Sequence, residues 1–252
     1  MNRMRLKLIV CDVLMREACL LIAKSPHIFD LMFTEKDSHN HSDKLRKIIQ
    51  DEIDNAVDKK FGAILLGYGL CGNATIGLKA RNTPIVIPRA HDCCTLFLGS
   101  RKKFEQHFKD NPSQPFSSPG YTERSESPFH DSLLRGDMDK DPKYLEYVEK
   151  YGEENAKYIY ESMYGNTSNH NKLVYIEIPE TKNDEYAELC RKRAEEAGME
   201  FVPLEGSLVL LENLINGNWN ENEFLIVNPG QKTIGAYDYN RIIESGHADV
   251  KS

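Results

Sequence analysis

The chain has 252 residues, 40% of them apolar, enough to bury one large core or two halves. Lys plus Arg number 32 against 39 Asp plus Glu, a net charge of -7, and no basic run is long enough to track a phosphate backbone, which argues against general nucleic-acid binding. No stretch of about 18 apolar residues is present, so no membrane span is expected.

The N-terminus is basic and then apolar, as in a signal peptide. Asp12, Arg16 and Glu17 interrupt that apolar run, and no small-residue cleavage site follows. The expected compartment is the cytoplasm, where disulfides are rare. The six cysteines, Cys11, Cys19, Cys71, Cys93, Cys94 and Cys190, are then expected as buried thiols, metal ligands or reactive groups.

In chain order, RLKLIVCDVL reads as a buried strand and MREACLLIAK as a short helix. IFDLMFTE reads as a second strand. HSDKLRKIIQDEIDNAVDKK has helical spacing at Leu45, Ile48, Ile49, Ile53 and Val57, with Ser42 or Asp43 as N-cap. FGAILLGYG and TPIVIP read as strands, and one helix is expected over CTLFLGSRKKFEQHF. Strands that are apolar without alternation, separated by helical patterns, predict a parallel sheet covered on both faces. Residues 110–141 are rich in Pro, Ser and charge and predict a loop or lid. A helix follows over 142–164, with a stripe of Tyr144, Val148, Tyr151, Tyr158, Ile159 and Met163.

The pattern then restarts, with KLVYIEIP, MEFVPL and EFLIVNPGQ as strands and DEYAELCRKRAEEAG and GSLVLLENLING as helices. The expected fold is α/β, with two similar Rossmann-like lobes, mostly parallel sheets and a diverged internal duplication that matches AILLGYGLCG to FLIVNPGQKTIG. The domains expected are an N-terminal lobe over 1–109, an insertion over 110–171 and a C-terminal lobe over 172–252.

In such sheets functional groups gather beyond the carboxyl ends of the strands. There the sequence puts Cys11 and Asp12 after the first strand and Cys71 after the third. Arg89, His91, Asp92, Cys93 and Cys94 follow the fourth. Thiolates with an imidazole select zinc or an iron–sulfur cluster, so Cys11, Cys71, His91 and Cys93 are the candidate metal ligands. Gly67, Gly69, Gly72 and Asn73 also fit a G-x-G-x-x-G cofactor-binding turn. The NATIGLKARN stretch behind them gives only about two helical turns, short for holding a pyrophosphate. In the second half Glu177, Glu180, Glu205, Asn228 and Gln231 stand at strand ends, and His39 and His41 follow the second strand.

Taken together, IVCDVL, SHNHSDKLR, ILLGYGLCGNATIGLKA, IVIPRAHDCCTLFLGS, SPGYTE and NGNWNENEFLIVNPGQ resemble an uncharacterised family of anaerobic bacteria and methanogenic archaea, domain of unknown function 1638. Its members are often encoded near corrinoid-dependent methyltransferase systems. The resemblance implies a link to one-carbon or methylamine-type metabolism, with a corrinoid or a corrinoid methyltransferase as an expected partner. It matches Cys11, Cys71, His91 and Cys93. Where relatives carry an aliphatic residue after the HDC cysteine, this chain has Cys94, which leaves two sulfurs for one ligand position. His91-Asp92-Cys93 is also locally similar to the His-x-Cys pair of zinc-dependent thiol methyltransferases, which have a different barrel fold.

Three functions follow as expectations. The first is a cytosolic metal-binding protein of corrinoid or methyl metabolism, with thiol or methyl transfer to or from a small molecule as its expected reaction and Arg89 and Asp92 behind the ligands. The second is a metal-free enzyme with Cys71 as nucleophile and His91 as base. The third is a non-catalytic accessory protein that binds a corrinoid or methyltransferase, with the helix over 142–164 as its interaction or homo-oligomer surface.

Overall fold

The structure, a computed structural model, describes residues 3–36, 42–111, 114–124, 142–153, 155–156, 171–236 and 241–248. The chain divides into two compact units, the first of residues 1–110, 178–182 and 205–252 and the second of 111–177 and 183–204.

The first unit is built on a five-stranded sheet. Its strands are β1 (Arg5–Cys11), β2 (Ile28–Thr34), β3 (Ala63–Gly67), β4 (Ile85–Pro88) and β8 (Phe224–Val227), in the order β2-β1-β3-β4-β8. The first four run parallel, and β8 pairs antiparallel with β4, Ile85 opposite Val227. The order leaves β1 with β2 on one side and β3 on the other. The chain therefore reverses its winding direction between β1 and β3, which makes this the topological switch point.

Helix α1 (Met15–Lys24) links β1 to β2, and α2 (Ser42–Asp54) links β2 to β3. On α2, Leu45, Ile49 and Ile53 recur four apart and are buried against Ile9, Ile64, Leu66, Ile85 and Ile87 of the sheet. Helix α8 (Val209–Asn216) packs on α1, β3 and β4. An antiparallel hairpin, β9 (Gln231–Gly235) and β10 (Ile243–His247), follows β8.

The single helix expected after β4 is two helices, α3 (Cys93–Leu98) and α4 (Arg101–Phe108). Gly99 ends α3 in the left-handed region at φ 70°, and the Ser100 hydroxyl caps α4 by accepting the Lys102 and Lys103 amides. A side chain on Gly99 would sit 2.5 Å from the Ser207 carbonyl oxygen, so neighbouring backbone fixes the break as well.

The second unit holds a three-stranded sheet of order β5 (Phe116–Ser117), β6 (Lys172–Glu177) and β7 (Glu200–Glu205). Its helices are α5 (Pro119–Glu123), α6 (Pro142–Tyr151) and α7 (Asp184–Glu196). Leu173, Tyr175, Cys190 and Ala194 form its buried cluster. The expected loop over 110–141 thus contributes a strand and a helix in its first part, and residues 125–141 lie outside the described ones.

The chain is α/β with mostly parallel pairing, as expected. The expected 172–252 lobe does not form one unit, because β6 and α7 belong to the second unit and β8 to the first sheet. The matched segments AILLGYGLCG and FLIVNPGQKTIG lie in that same sheet, running in opposite directions, and are not equivalent strands of two lobes.

Candidate functional site

Cys11 ends β1 opposite Thr34, the last residue of β2. Val10 lies opposite Gly67, so Tyr68 leaves β3 at the same level. The Tyr68 and Thr34 hydroxyls share a hydrogen bond, and both residues are buried. The Cys11 thiol reaches Asp12 Oδ1 at 3.9 Å.

Beyond Tyr68 the chain runs beside the segment that follows β4. The Leu70 N–H donates to the Ala90 carbonyl at 2.9 Å and the Cys71 N–H to the His91 carbonyl at 3.1 Å. Gly69 makes this approach feasible, because a Cβ there would lie 2.5 Å from the Asp92 nitrogen and 2.7 Å from the Ala90 oxygen. Gly67 likewise has Val10 where its Cβ would be, at 2.5 Å.

Cys71, Gly72 and Asn73 then adopt three successive left-handed conformations, at φ 45°, 64° and 67°. For Cys71 and Asn73 that conformation costs about 1–2 kcal/mol each. Helix α2 holds the turn, since Ser42 Oγ donates to the Gly72 carbonyl at 2.7 Å and Arg46 Nη2 to the Asn73 carbonyl at 2.8 Å.

No helix follows this turn. The chain passes from residues 71–77 to β4, so the G-x-G-x-x-G letters do not head a helix. Gly67 and Gly69 serve close packing, and Gly72 and Asn73 serve a tight corner. The proposed phosphate-cradling role lacks the helix N-terminus it needs.

The corner brings the Cys71 thiol to the start of α3. Its sulfur accepts backbone N–H groups from Gly69 and Cys93. Burial pushes the thiol up to about 12, and the nearby charges of Asp92 and Cys11 add to the effect. Asp92 caps α3, accepting the Thr95 N–H at 3.4 Å, and burial raises its carboxyl to about 6. Tyr68 is raised by burial and then by the charges of Cys11, Cys71 and Asp12. Cys71 therefore feels Cys11 and Asp92, and Tyr68 feels Cys11 and Cys71, at the switch point, where open α/β sheets bind ligands.

His91 and Arg89 do not join them. With the His91 carbonyl turned to Cys71, its ring stacks near Phe104 of α4, centroids 5.5 Å apart, and faces a cavity with Arg101 and Ile242. Burial, and then Arg101, hold His91 below its ordinary pKa. Arg89 donates to the carbonyls of Glu221, Arg241 and Ile243, tying the β10 approach to the end of β4. Cys93 and Cys94 are buried within α3.

Among the described residues no group of three or more His, Cys, Asp and Glu side chains is gathered to hold a metal ion. The expected set of Cys11, Cys71, His91 and Cys93 forms no such group, and the His91 ring lies beside Phe104 and lines the cavity with Arg101 and Ile242. His39 and His41 lie outside the described residues. Asn228 and Gln231 bond each other across one turn, the Asn228 N–H donating to Gln231 Oε1 at 2.9 Å. Sequence reasoning assigned no site role to Tyr68 and Thr34. Their signal was position alone, one residue past or at a strand's carboxyl end.

These features define an open, mostly parallel α/β protein with the Cys11 and Cys71 thiols near its switch point. The chain belongs to the family described as Protein of unknown function (DUF1638), whose profile matches residues 33–215. The match takes in Tyr68, Cys71 and the 89–94 segment, and Cys11 precedes it. No curated protein and no solved structure matches the chain. Among the described residues no helix is long and apolar enough to cross a membrane.

Proposed function

We propose that the protein is an enzyme that acts on a small molecule at the switch point, with the Cys71 thiol as its working group and Asp92 as the proton acceptor. The observation that carries this reading is the Cys71 turn. A non-glycine residue is held left-handed at the switch point, with two backbone N–H groups aimed at its sulfur. A thiol pushed up to about 12 is not a preformed thiolate at neutral pH. It reacts as its proton leaves. The S–H proton passes to the Asp92 carboxylate while the sulfur bonds the electrophilic carbon, and the leaving group departs with its electron pair. The Gly69 and Cys93 amides stabilise the charge that builds on sulfur.

Asp92 takes the part that sequence reasoning gave to His91. The family resemblance makes a methyl group, on a small molecule or a corrinoid, the first electrophile to try. Partner or homo-oligomer contact through α6 belongs to the same proposal.

Alkylation of the anaerobically purified protein, read by mass spectrometry, tests this reading. Iodoacetamide is expected to modify Cys71 with a rate that levels off above about pH 6, where Asp92 is ionised, and that falls about 100-fold in Asp92→Asn, the low end for general-base assistance. A rate that climbs with pH without levelling and ignores Asp92→Asn would sink the reading.

The charge coupling of Cys11 to Cys71 favours a second reading, a soft metal centre bound by those two thiols. Titration with Co(II) distinguishes it. A thiolate-to-metal absorption band lost in both Cys11→Ser and Cys71→Ser supports it, and no band in the wild type rejects it.

A further inference from the structure

The first unit has a second polar site, lined by Arg89 and His91 and not by Cys71. A cavity of about 580 Å³ is lined by Arg89, Arg101, Arg241, Glu221, Glu244 and Ser245. A smaller one, about 180 Å³, is lined by His91, Thr95, Phe104 and Ile242 and shares Arg101. The larger volume lies in the range of small-molecule pockets.

Three guanidinium groups meet there in a chain whose net charge is -7. They feel one another. Burial lowers the Arg89 pKa most, and the charges of Arg101 and Arg241 lower it further, against the opposing effect of Glu244 and Glu221. Glu244 pairs with Arg241 at 2.8 Å. Arg89 spends Nε and Nη1 on the carbonyls of residues 221, 241 and 243. Its Nη2 group makes no hydrogen bond to any described residue, so two N–H donors of a half-buried cation are left to the cavity.

The backbone supplies an independent sign. Ile242 is left-handed at φ 60°, a genuine outlier for a β-branched residue. It is 3% exposed and lines the smaller cavity, and Arg89 grips the carbonyls on both sides of it. Strain of about 1–3 kcal/mol, fixed in place by its surroundings, gathers at ligand clamps.

We propose that these two cavities, which share Arg101, bind a small organic oxyanion. Its carboxylate or phosphate sits among Arg89, Arg101 and Arg241, and its less polar part rests against His91, Phe104 and Ile242. The site is independent of the thiol reading above.

Calorimetric titration of the full chain with inorganic phosphate and, separately, with succinate tests it, and the two arms tell a phosphate site from a carboxylate one. One anion is expected to bind saturably, about tenfold more weakly in both Arg101→Gln and Arg241→Gln, a loss of about 1.4 kcal/mol. Arg81→Gln, which removes a surface arginine paired with Asp54, and Cys71→Ser are expected to leave the affinity unchanged. The proposal is overturned if neither anion saturates below about 10 mM, a binding energy of about 3 kcal/mol. It is equally overturned if Arg101→Gln and Arg241→Gln bind as the wild type does.

Discussion

At the scale of single residues, Gly69 and Cys71 decide the shape of the switch-point corner for opposite reasons. Gly69 is needed for space, since the backbone of residues 90–92 occupies the place of a side chain. Gly69→Ala is expected to destabilise the first unit by about 1–3 kcal/mol or more, the cost of forcing atoms into a packed interior. Gly230→Ala is the comparison. Nothing lies within 4 Å there, but φ is 82°, so only the left-handed cost of about 1–2 kcal/mol applies. Urea denaturation of the two variants separates the effects: only Gly69→Ala should also slow Cys71 alkylation, since only it displaces the segment that carries Asp92. Equal stability losses with unchanged alkylation would show that the corner does not depend on this contact. The glycines and the cysteine were legible in the sequence as a sharp turn at a strand end. Their partners were not. Which way His91 points depends on a carbonyl bonded to the Cys71 amide, and spacing along a chain carries no information about that choice.

At the scale of elements, hydrophobic pattern located strands and helices well and assigned them to sheets poorly. β8 reads FLIV, as apolar as β3, so nothing in its composition tells parallel from antiparallel or one sheet from another. β5 is two residues long and β10 contains Gly246 and Ser245, too little apolar signal to register. The second unit's cluster makes its own prediction. Burial raises Cys190 above its ordinary value of 9.0 and raises Tyr175 as well. For both groups the folded state favours the protonated form. That stability is complete below the unfolded-state pKa and drains away as pH rises above it, Cys190 first. The second unit should therefore weaken from about pH 9 upward, by at most about 1.4 kcal/mol per pH unit for each group. The Tyr175 hydroxyl is buried with no hydrogen-bond partner among the described residues. Tyr175→Phe should thus be neutral or stabilising by about 1 kcal/mol at pH 7 and should flatten the alkaline loss, while Cys190→Ala flattens only its first part. Thermal unfolding across pH 7–11 followed through second-unit signals checks this, and identical pH profiles for all three proteins would contradict it.

At the scale of the whole molecule, the chain leaves the first unit after residue 110, returns briefly at 178–182 and comes back for good at 205. The brief return matters to the first unit's core. The Thr181 hydroxyl donates to Glu17 Oε1 at 2.6 Å, and Glu17 on α1 is 1% exposed. Removing one donor from a buried carboxylate costs about 1–3 kcal/mol, so Thr181→Ala should destabilise the first unit by that amount and speed hydrogen exchange along α1. Unchanged exchange would mean that the carboxylate relies on its other contacts. A sequence read as two successive lobes does not foresee a chain that revisits its first unit, because periodicity describes neighbours along the chain and not partners across it.

The antiparallel seat of β8 on β4 has a consequence for biosynthesis. Residues 85–88 leave the ribosome long before residues 224–227, their partner strand. Until then the nascent sheet ends in IVIP, a fully apolar edge with unpaired amides, the kind of surface on which chains stick to one another. Each newly made copy depends on its last strands to close that seam, so ribosomal stalling or premature termination before residue 224 releases an aggregation seed and not merely a shortened protein.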